Sequence, residues 1–145
     1  MFKHILFPTD TSDQSNSGFS VAVNLAQRHG GCITLLNVHE EFLSKDEMQY
    51  LRINPNQYQE FIRDRAVVAR KSMERLISDA GVADVCDILI REGKPRQMIL
   101  EVASEIGADL IVMSSNGRSN LKEQLIGSTA EYIVHQSKIP VLVIK

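Results

Sequence analysis

Hydrophobic positions along the chain follow two alternating patterns. Short apolar runs occupy residues 5–7, 33–38, 110–113 and 141–144, as strands buried on both faces require. A further run, 85–90, is different: Cys86, Ile88 and Ile90 are interleaved with Asp87 and Leu89, and Arg91 follows. A strand that admits charge on one face predicts a sheet edge. Between the runs, apolar residues recur at helical spacing. Phe19, Ala22, Val23 and Ala26 define one helix, ended by Gly30-Gly31. Phe61, Ile62, Ala69, Met73, Leu76 and Ile77 share one face of a long helix from Tyr58 to Ala80, and Gly81 stops it. Ile99, Val102, Ala103 and Ile106 follow Pro95, while Ala130, Ile133 and Val134 mark a last helix over 128–137. Alternation at this rhythm predicts right-handed βαβ units, hence an α/β fold with a doubly wound parallel sheet and helices on both faces. One interval breaks the rhythm. Residues 40–57 are long for a βα connection, and within them Ser44 and Glu47 form an S-x-x-E capping box that predicts a short helix through Tyr50.

Composition narrows the picture. A chain of 145 residues suits one domain, residues 1–145, which needs neither disulfides nor metal to bury an adequate core. Sixteen Lys+Arg against 18 Asp+Glu, a net charge of -2, lack the basic surplus of nucleic-acid and anionic-membrane binders. Cys32 and Cys86 lie inside apolar runs without metal-ligand spacing and are expected as buried, reduced thiols. No run is long enough to span a membrane, and the apolar start of the chain is too short for a signal peptide, so a cytoplasmic protein is expected.

In open parallel sheets, ligands bind beyond the carboxyl ends of the strands, at the point where strand order reverses. The stretch after the 110–113 run is the most informative: Ser114-Ser115-Asn116-Gly117-Arg118-Ser119-Asn120-Leu121-Lys122, with Gly127-Ser128-Thr129 opening the last helix. Small residues let backbone N–H groups approach a phosphate, a helix N-terminus favours its charge, and Arg118 and Lys122 supply counter-charge. The same residues also read without a ligand, because Ser128-Thr129-Ala130-Glu131 is itself an S-x-x-E box. Asp10 is similarly double: it could bond a nucleotide or hold a metal through water, or help to cap the first helix.

Other α/β chemistries are tested by their motifs. There is no G-x-G-x-x-G, no G-x4-G-K-[ST], no G-x-S-x-G elbow and no histidine pair at zinc spacing. Residues 9–17 hold no glycine for a flavodoxin-type loop, and Ile90-Arg91-Glu92 lacks the aspartate of a receiver domain.

These residues together resemble the nucleotide-binding branch of the universal stress proteins. That branch is marked by G-x2-G-x9-G-[ST], matched here by Ser114-x2-Gly117-x9-Gly127-Ser128. Pro8-Thr9-Asp10-Thr11-Ser12, Gly93-Lys94-Pro95, Ala108-Asp109-Leu110-Ile111-Val112-Met113 and Ile139-Pro140-Val141-Leu142-Val143-Ile144 extend the resemblance over essentially the whole chain. It implies five parallel strands in the order 3-2-1-4-5, with ATP across the switch between strands one and four. By matching position, Pro8, Thr9 and Asp10 would border adenine and ribose, and Val38 would offer backbone bonds to the base. Met113, Ser114, Gly117, Gly127, Ser128 and Thr129 would wrap ribose and phosphates, with Arg118 beside them as counter-charge. Mg²⁺ or Mn²⁺, if present, would ride on the phosphates. The resemblance also implies a homodimer through the C-terminal strand, which ends at a sheet edge.

One residue departs from the pattern. Ser114 replaces the motif's first glycine, and at a positive φ a serine would cost about 1–2 kcal/mol. If the glycine serves only for clearance, serine fits and its hydroxyl gains a bond. The functional expectation is a stress-response sensor or regulator that binds ATP and in which occupancy alters the 40–57 segment. The alternatives are a nucleotide-free interaction protein and a weak ATPase or autophosphorylating protein, with Ser128 or Thr129 as acceptor.

Overall fold

Apolar runs become central strands when helices cover both of their faces. In the computed structural model, which describes residues 1–40, 43–116 and 126–145, the runs do so. The elements are β1 (His4–Pro8), α1 (Asp13–Asn16), α2 (Phe19–His29), β2 (Cys32–His39), α3 (Lys45–Tyr50), α4 (Pro55–Ala80), β3 (Cys86–Glu92), α5 (Pro95–Glu105), β4 (Leu110–Ser114), α6 (Ser128–Gln136) and β5 (Val141–Ile144). The sheet runs β3-β2-β1-β4-β5 and every pairing is parallel. Ile5 stands opposite both Ile33 of β2 and Leu110 of β4, so β1 is the centre.

The period-two alternation of strand side chains splits the core between two faces. Phe7, Leu35 and Val112 point into one cluster with Phe19 and Ala22 of α2 and Met73 and Ile77 of α4. Their neighbours Leu6, Leu36 and Ile111 point the other way, against Ile99 and Val102 of α5 and Ile133 of α6. Phe7 and Phe19 meet edge to face at 5.4 Å between centroids, and burying each side chain stabilises the fold by roughly 2–3 kcal/mol.

Helix ends follow local chemistry. Gly30 and Gly81 take left-handed φ of 62° and 67° and close α2 and α4. The Ser44 side chain accepts from the Glu47 N–H at 3.1 Å, so the short helix in the 40–57 interval forms where its box predicts. Met48, Tyr58 and Ile62 then pack that helix onto α4 in a small cluster of their own.

Four sequence expectations need correction, and one element is added. The long helix starts at Pro55, three residues before Tyr58, because Asn54 accepts from the Asn56 N–H and Pro55 suits a first helical position. Phe61 and Val134, placed by periodicity on buried faces, are 50% and 48% exposed. A helix stripe wider than the core it meets leaves its flanks outside. Strand β5 is half-buried at every position, since an end strand has one neighbour. Cys32 is only half-buried, whereas Cys86 is buried and its thiol is pushed up to about 12, mainly by desolvation and next by Asp87. Finally, α1 is an added single turn before α2.

Candidate functional site

The chain leaves β1 for β2 on one side of the sheet, while β4 lies on the other side of β1, so strand order reverses between β1 and β4. The helices diverge there, and a cleft of about 620 Å³ opens beyond the strand ends. Nine of the eleven residues expected at a nucleotide site line this cleft: Pro8, Thr9, Asp10, Val38, Met113, Ser114, Gly127, Ser128 and Thr129. Gly117 and Arg118 lie outside the described residues, as does Lys122.

The loop after β1 is held by its own side chains. Thr9 N–H donates to the Leu36 carbonyl at 2.8 Å, fixing the strand end beside β2. The Thr9 hydroxyl donates to Asn16 Oδ1 at 2.6 Å and accepts from Thr11 N–H at 3.0 Å. Asp10 Oδ1 accepts from the Ser12 backbone N–H at 2.9 Å and from its hydroxyl. Ser12, so placed, is the N-cap of α1 and accepts from Ser15 N–H at 3.1 Å. Asp10 therefore supports the cap without being the cap, and the carboxylate stays beside the cleft. Thr11 has a φ of 68°, a conformation strained for a β-branched residue. It lines the cleft as well.

Ser114 has no positive φ, so the backbone penalty considered for it does not arise. Its hydroxyl donates to the Ser15 carbonyl at 2.8 Å and accepts from Gly18 N–H at 3.3 Å. By the alternation of β4 this side chain belongs to the α1–α2 face, away from Met113, and it ties the α1–α2 junction to the strand end.

The opening of α6 differs from its expected capping box. Its N-cap is Gly127 and no side chain caps it; Ser128 is the first helical residue and Glu131 lies in the first turn. The cause is a tertiary bond: Gly127 N–H donates to the Ser115 carbonyl at 2.6 Å, drawing the chain against the end of β4. A Cβ at Gly127 would lie 2.7 Å from that same carbonyl oxygen, so glycine is there for close approach to the protein's own backbone. Among the described residues no side chain caps this turn, so the N–H groups of Ser128, Thr129 and Ala130, residues that line the cleft, lack an intrahelical acceptor.

Val38 and Met113, with Ile99 of α5 and Ala130 of α6, form the apolar side of the cleft. The opposite wall was not foreseen. It is the cleft-facing stripe of α4, Phe61, Asp64, Arg65 and Val68, with the Arg65 guanidinium 5.8 Å from the Phe61 ring centroid. Phe61 and Val68 are apolar at i and i+7 with charges between them, a pattern that a core-facing stripe shares. Asn37 was also missed, although a polar residue inside an apolar strand run is conspicuous. It is 5% exposed, its Nδ2 donates to the Thr9 carbonyl at 2.9 Å, and its Oδ1 has no partner among the described residues. Among those residues no group of three or more His, Cys, Asp or Glu side chains could hold a metal ion.

A doubly wound parallel α/β sheet with a ligand-sized cleft at its switch point is the class of protein that this geometry defines. The sequence model described as the universal stress protein family matches residues 1–145, and the chain belongs to that family. Universal stress protein MJ0577 of Methanocaldococcus jannaschii is 29% identical over 157 residues, covering 100% of this chain and 96% of that protein. Its solved structure superimposes with a TM-score of 0.75. Universal stress protein UspA from Lactobacillus plantarum gives a TM-score of 0.83 at 26% identity, covering 99% of this chain and 98% of that one. A universal stress protein crystallised in complex with cAMP is similar in fold, with a TM-score of 0.67 at 21% identity, covering 99% and 97%.

Proposed function

We propose that this chain binds an adenine nucleotide, ATP in the first instance, across the β1–β4 switch point and acts as a stress-response regulator. The observation that carries the reading is the uncapped first turn of α6, whose N–H groups open onto a cleft with an apolar side at Val38 and Met113. A base fits the apolar side, with Pro8, Thr9 and Asp10 at its border and the Val38 backbone as its hydrogen-bonding edge. Ribose and phosphates then run past Met113 and Ser114 toward Gly127, Ser128 and Thr129, with Gly117 completing the sequence motif and Arg118 as counter-charge. Mg²⁺ or Mn²⁺ would arrive with the phosphates. That a universal stress protein of this fold has been crystallised with cAMP agrees with an adenine ligand. Glu40 lines the cleft and begins the segment that carries α3, so occupancy has a direct route to that segment. Calorimetry with ATP and Mg²⁺ tests the reading; no heat and no thermal shift at high micromolar protein would leave the nucleotide-free interaction protein instead.

Two features extend the reading. The Ser128 hydroxyl is free of capping duty at the cleft, which favours it as the acceptor in a weak autophosphorylation. Labelled ATP followed by mass spectrometry decides this, and no label above background removes it. Strand β5 pairs with β4 alone among the described residues and is half-buried throughout, so a homodimer through its free edge would cover it. Sedimentation as a monomer at high micromolar concentration would refute that assembly. We further propose a cytoplasmic location; no helix among the described residues is long and apolar enough to cross a membrane.

A further inference from the structure

The first turns of α5 and α6 enclose, with Glu40, a second compartment of about 470 Å³. That volume falls within the roughly 300–1,000 Å³ of small-molecule sites. It shares Glu40, Pro95, Ser128 and Thr129 with the main cleft, so the two spaces are continuous. Ser128 and Thr129 on this shared border are the residues at which the proposed triphosphate ends. Beyond it lie Lys94, Arg96 and Tyr132, none of which the ATP reading uses.

Lys94 and Arg96 are exposed, and among the described residues neither enters an ion pair. The Arg96 guanidinium lies over the Tyr132 ring, 5.7 Å from its centroid, so a cation backed by an aromatic plane stands at the compartment wall. Glu40 supplies the one opposing charge. Two cations and a carboxylate suit a bare polyphosphate poorly, since Glu40 would repel it. They suit a polyphosphate that continues into a second sugar: the cations meet the distal phosphates and the carboxylate accepts from the ribose hydroxyls. A second base then has the outer face of the Arg96 guanidinium, backed by Tyr132, on which to stack.

We propose that this compartment receives the second nucleoside of a dinucleoside polyphosphate whose first adenosine half occupies the main cleft. The proposal rests on the nucleotide reading above and assigns that site a ligand longer than ATP. Calorimetry with ATP, inorganic tripolyphosphate and diadenosine tetraphosphate tests it, on the unaltered chain and on a Lys94→Ala/Arg96→Ala variant. Both changed residues are on the surface, and a melting curve confirms that the variant folds. Diadenosine tetraphosphate is expected to bind one per chain, at least about tenfold tighter than ATP, and tripolyphosphate weaker than either. In the variant that preference should vanish while ATP affinity stays within about twofold. If ATP binds but diadenosine tetraphosphate binds no tighter, or keeps its preference in the variant, the second compartment is refuted and the ATP site stands. If neither nucleotide binds, both readings fall. Binding of diadenosine tetraphosphate alone, lost in the variant, would support the compartment and overturn the mononucleotide reading.

Discussion

Ser114→Gly restores the glycine of the family motif, and the structure predicts that the restoration harms the protein. If serine were a degraded phosphate glycine, the change would relieve strain and tighten nucleotide binding. The geometry says otherwise, because Ser114 has no positive φ to relieve and its hydroxyl donates to the Ser15 carbonyl at 2.8 Å while accepting from Gly18 N–H at 3.3 Å. Ser114 is 8% exposed, so its partners would be left without easy access to water. Losing a buried hydrogen bond of this kind costs about 1 kcal/mol, and glycine in a strand adds roughly 0.5–1 kcal/mol of backbone entropy. The expected total is about 1.5–2 kcal/mol, which for a chain of this length lowers the melting temperature by roughly 5–8 °C. Urea unfolding of the native chain, Ser114→Ala and Ser114→Gly separates the parts: alanine should lose the hydrogen-bond share alone. ATP calorimetry on the same proteins should show no gain in affinity. Equal or greater stability for Ser114→Gly, with ATP binding tightened about tenfold, would refute the reasoning, since that is the signature of relieved strain.

Three shorter predictions follow. Gly127→Ala places a Cβ 2.7 Å from the Ser115 carbonyl oxygen, so the start of α6 must shift; nucleotide heat should fall, and unchanged binding would argue against the first turn of α6 as the phosphate site. The same contact means that Gly127→Val perturbs the loop as well as any ligand, so it does not probe phosphate clearance in isolation. A thiol reagent at pH 8 should label Cys32 in the native state and leave Cys86 unmodified until unfolding, since Cys86 is buried and its thiol is pushed up to about 12; equal labelling rates would contradict this. Burial works to raise the Asp109 carboxyl, but the N–H groups of Lys3 at 2.8 Å and His4 at 3.1 Å, with its own N–H and the N-terminal charge, outweigh it and hold the group below its ordinary value. Its contribution is therefore present above the ordinary carboxylate range and lost as pH falls through the lowered value, so Asp109→Asn should destabilise at pH 7 and converge with the native chain in acid. Parallel curves across that range would exclude the linkage.

Periodicity made the sheet legible because five apolar runs had no other way to be buried, and the charge within β3 marked one edge. It failed where burial and cleft share a helix. Phe61 and Ile62 are adjacent in sequence and equally apolar, yet Ile62 packs against Met48 and Tyr58 while Phe61 stands 50% exposed at the cleft wall. Hydropathy records that a side chain avoids water, and it does not distinguish a neighbouring side chain from a ligand as the cover. The α4 wall was invisible for that reason, and Asn37 for another: its bond to the Thr9 carbonyl joins residues 28 apart, a pairing that only the sheet order creates.

The two S-x-x-E boxes carry this furthest, because the same local pattern has two outcomes. Ser44 begins a helix on the surface and caps it, satisfying the N–H of Glu47 within its own turn. Ser128 has the same acidic residue three positions on, yet it is the first helical residue and caps nothing, because the bond from Gly127 N–H to the Ser115 carbonyl moves the helix start. A local capping interaction worth about 1 kcal/mol is displaced by a tertiary one, and the first-turn donors of α6 are left facing a cleft. Such donors need an acceptor from water or from a ligand. The place where the sequence rule is overridden is the end of α6 that adjoins both compartments, and this is where a polyphosphate would be expected to cross.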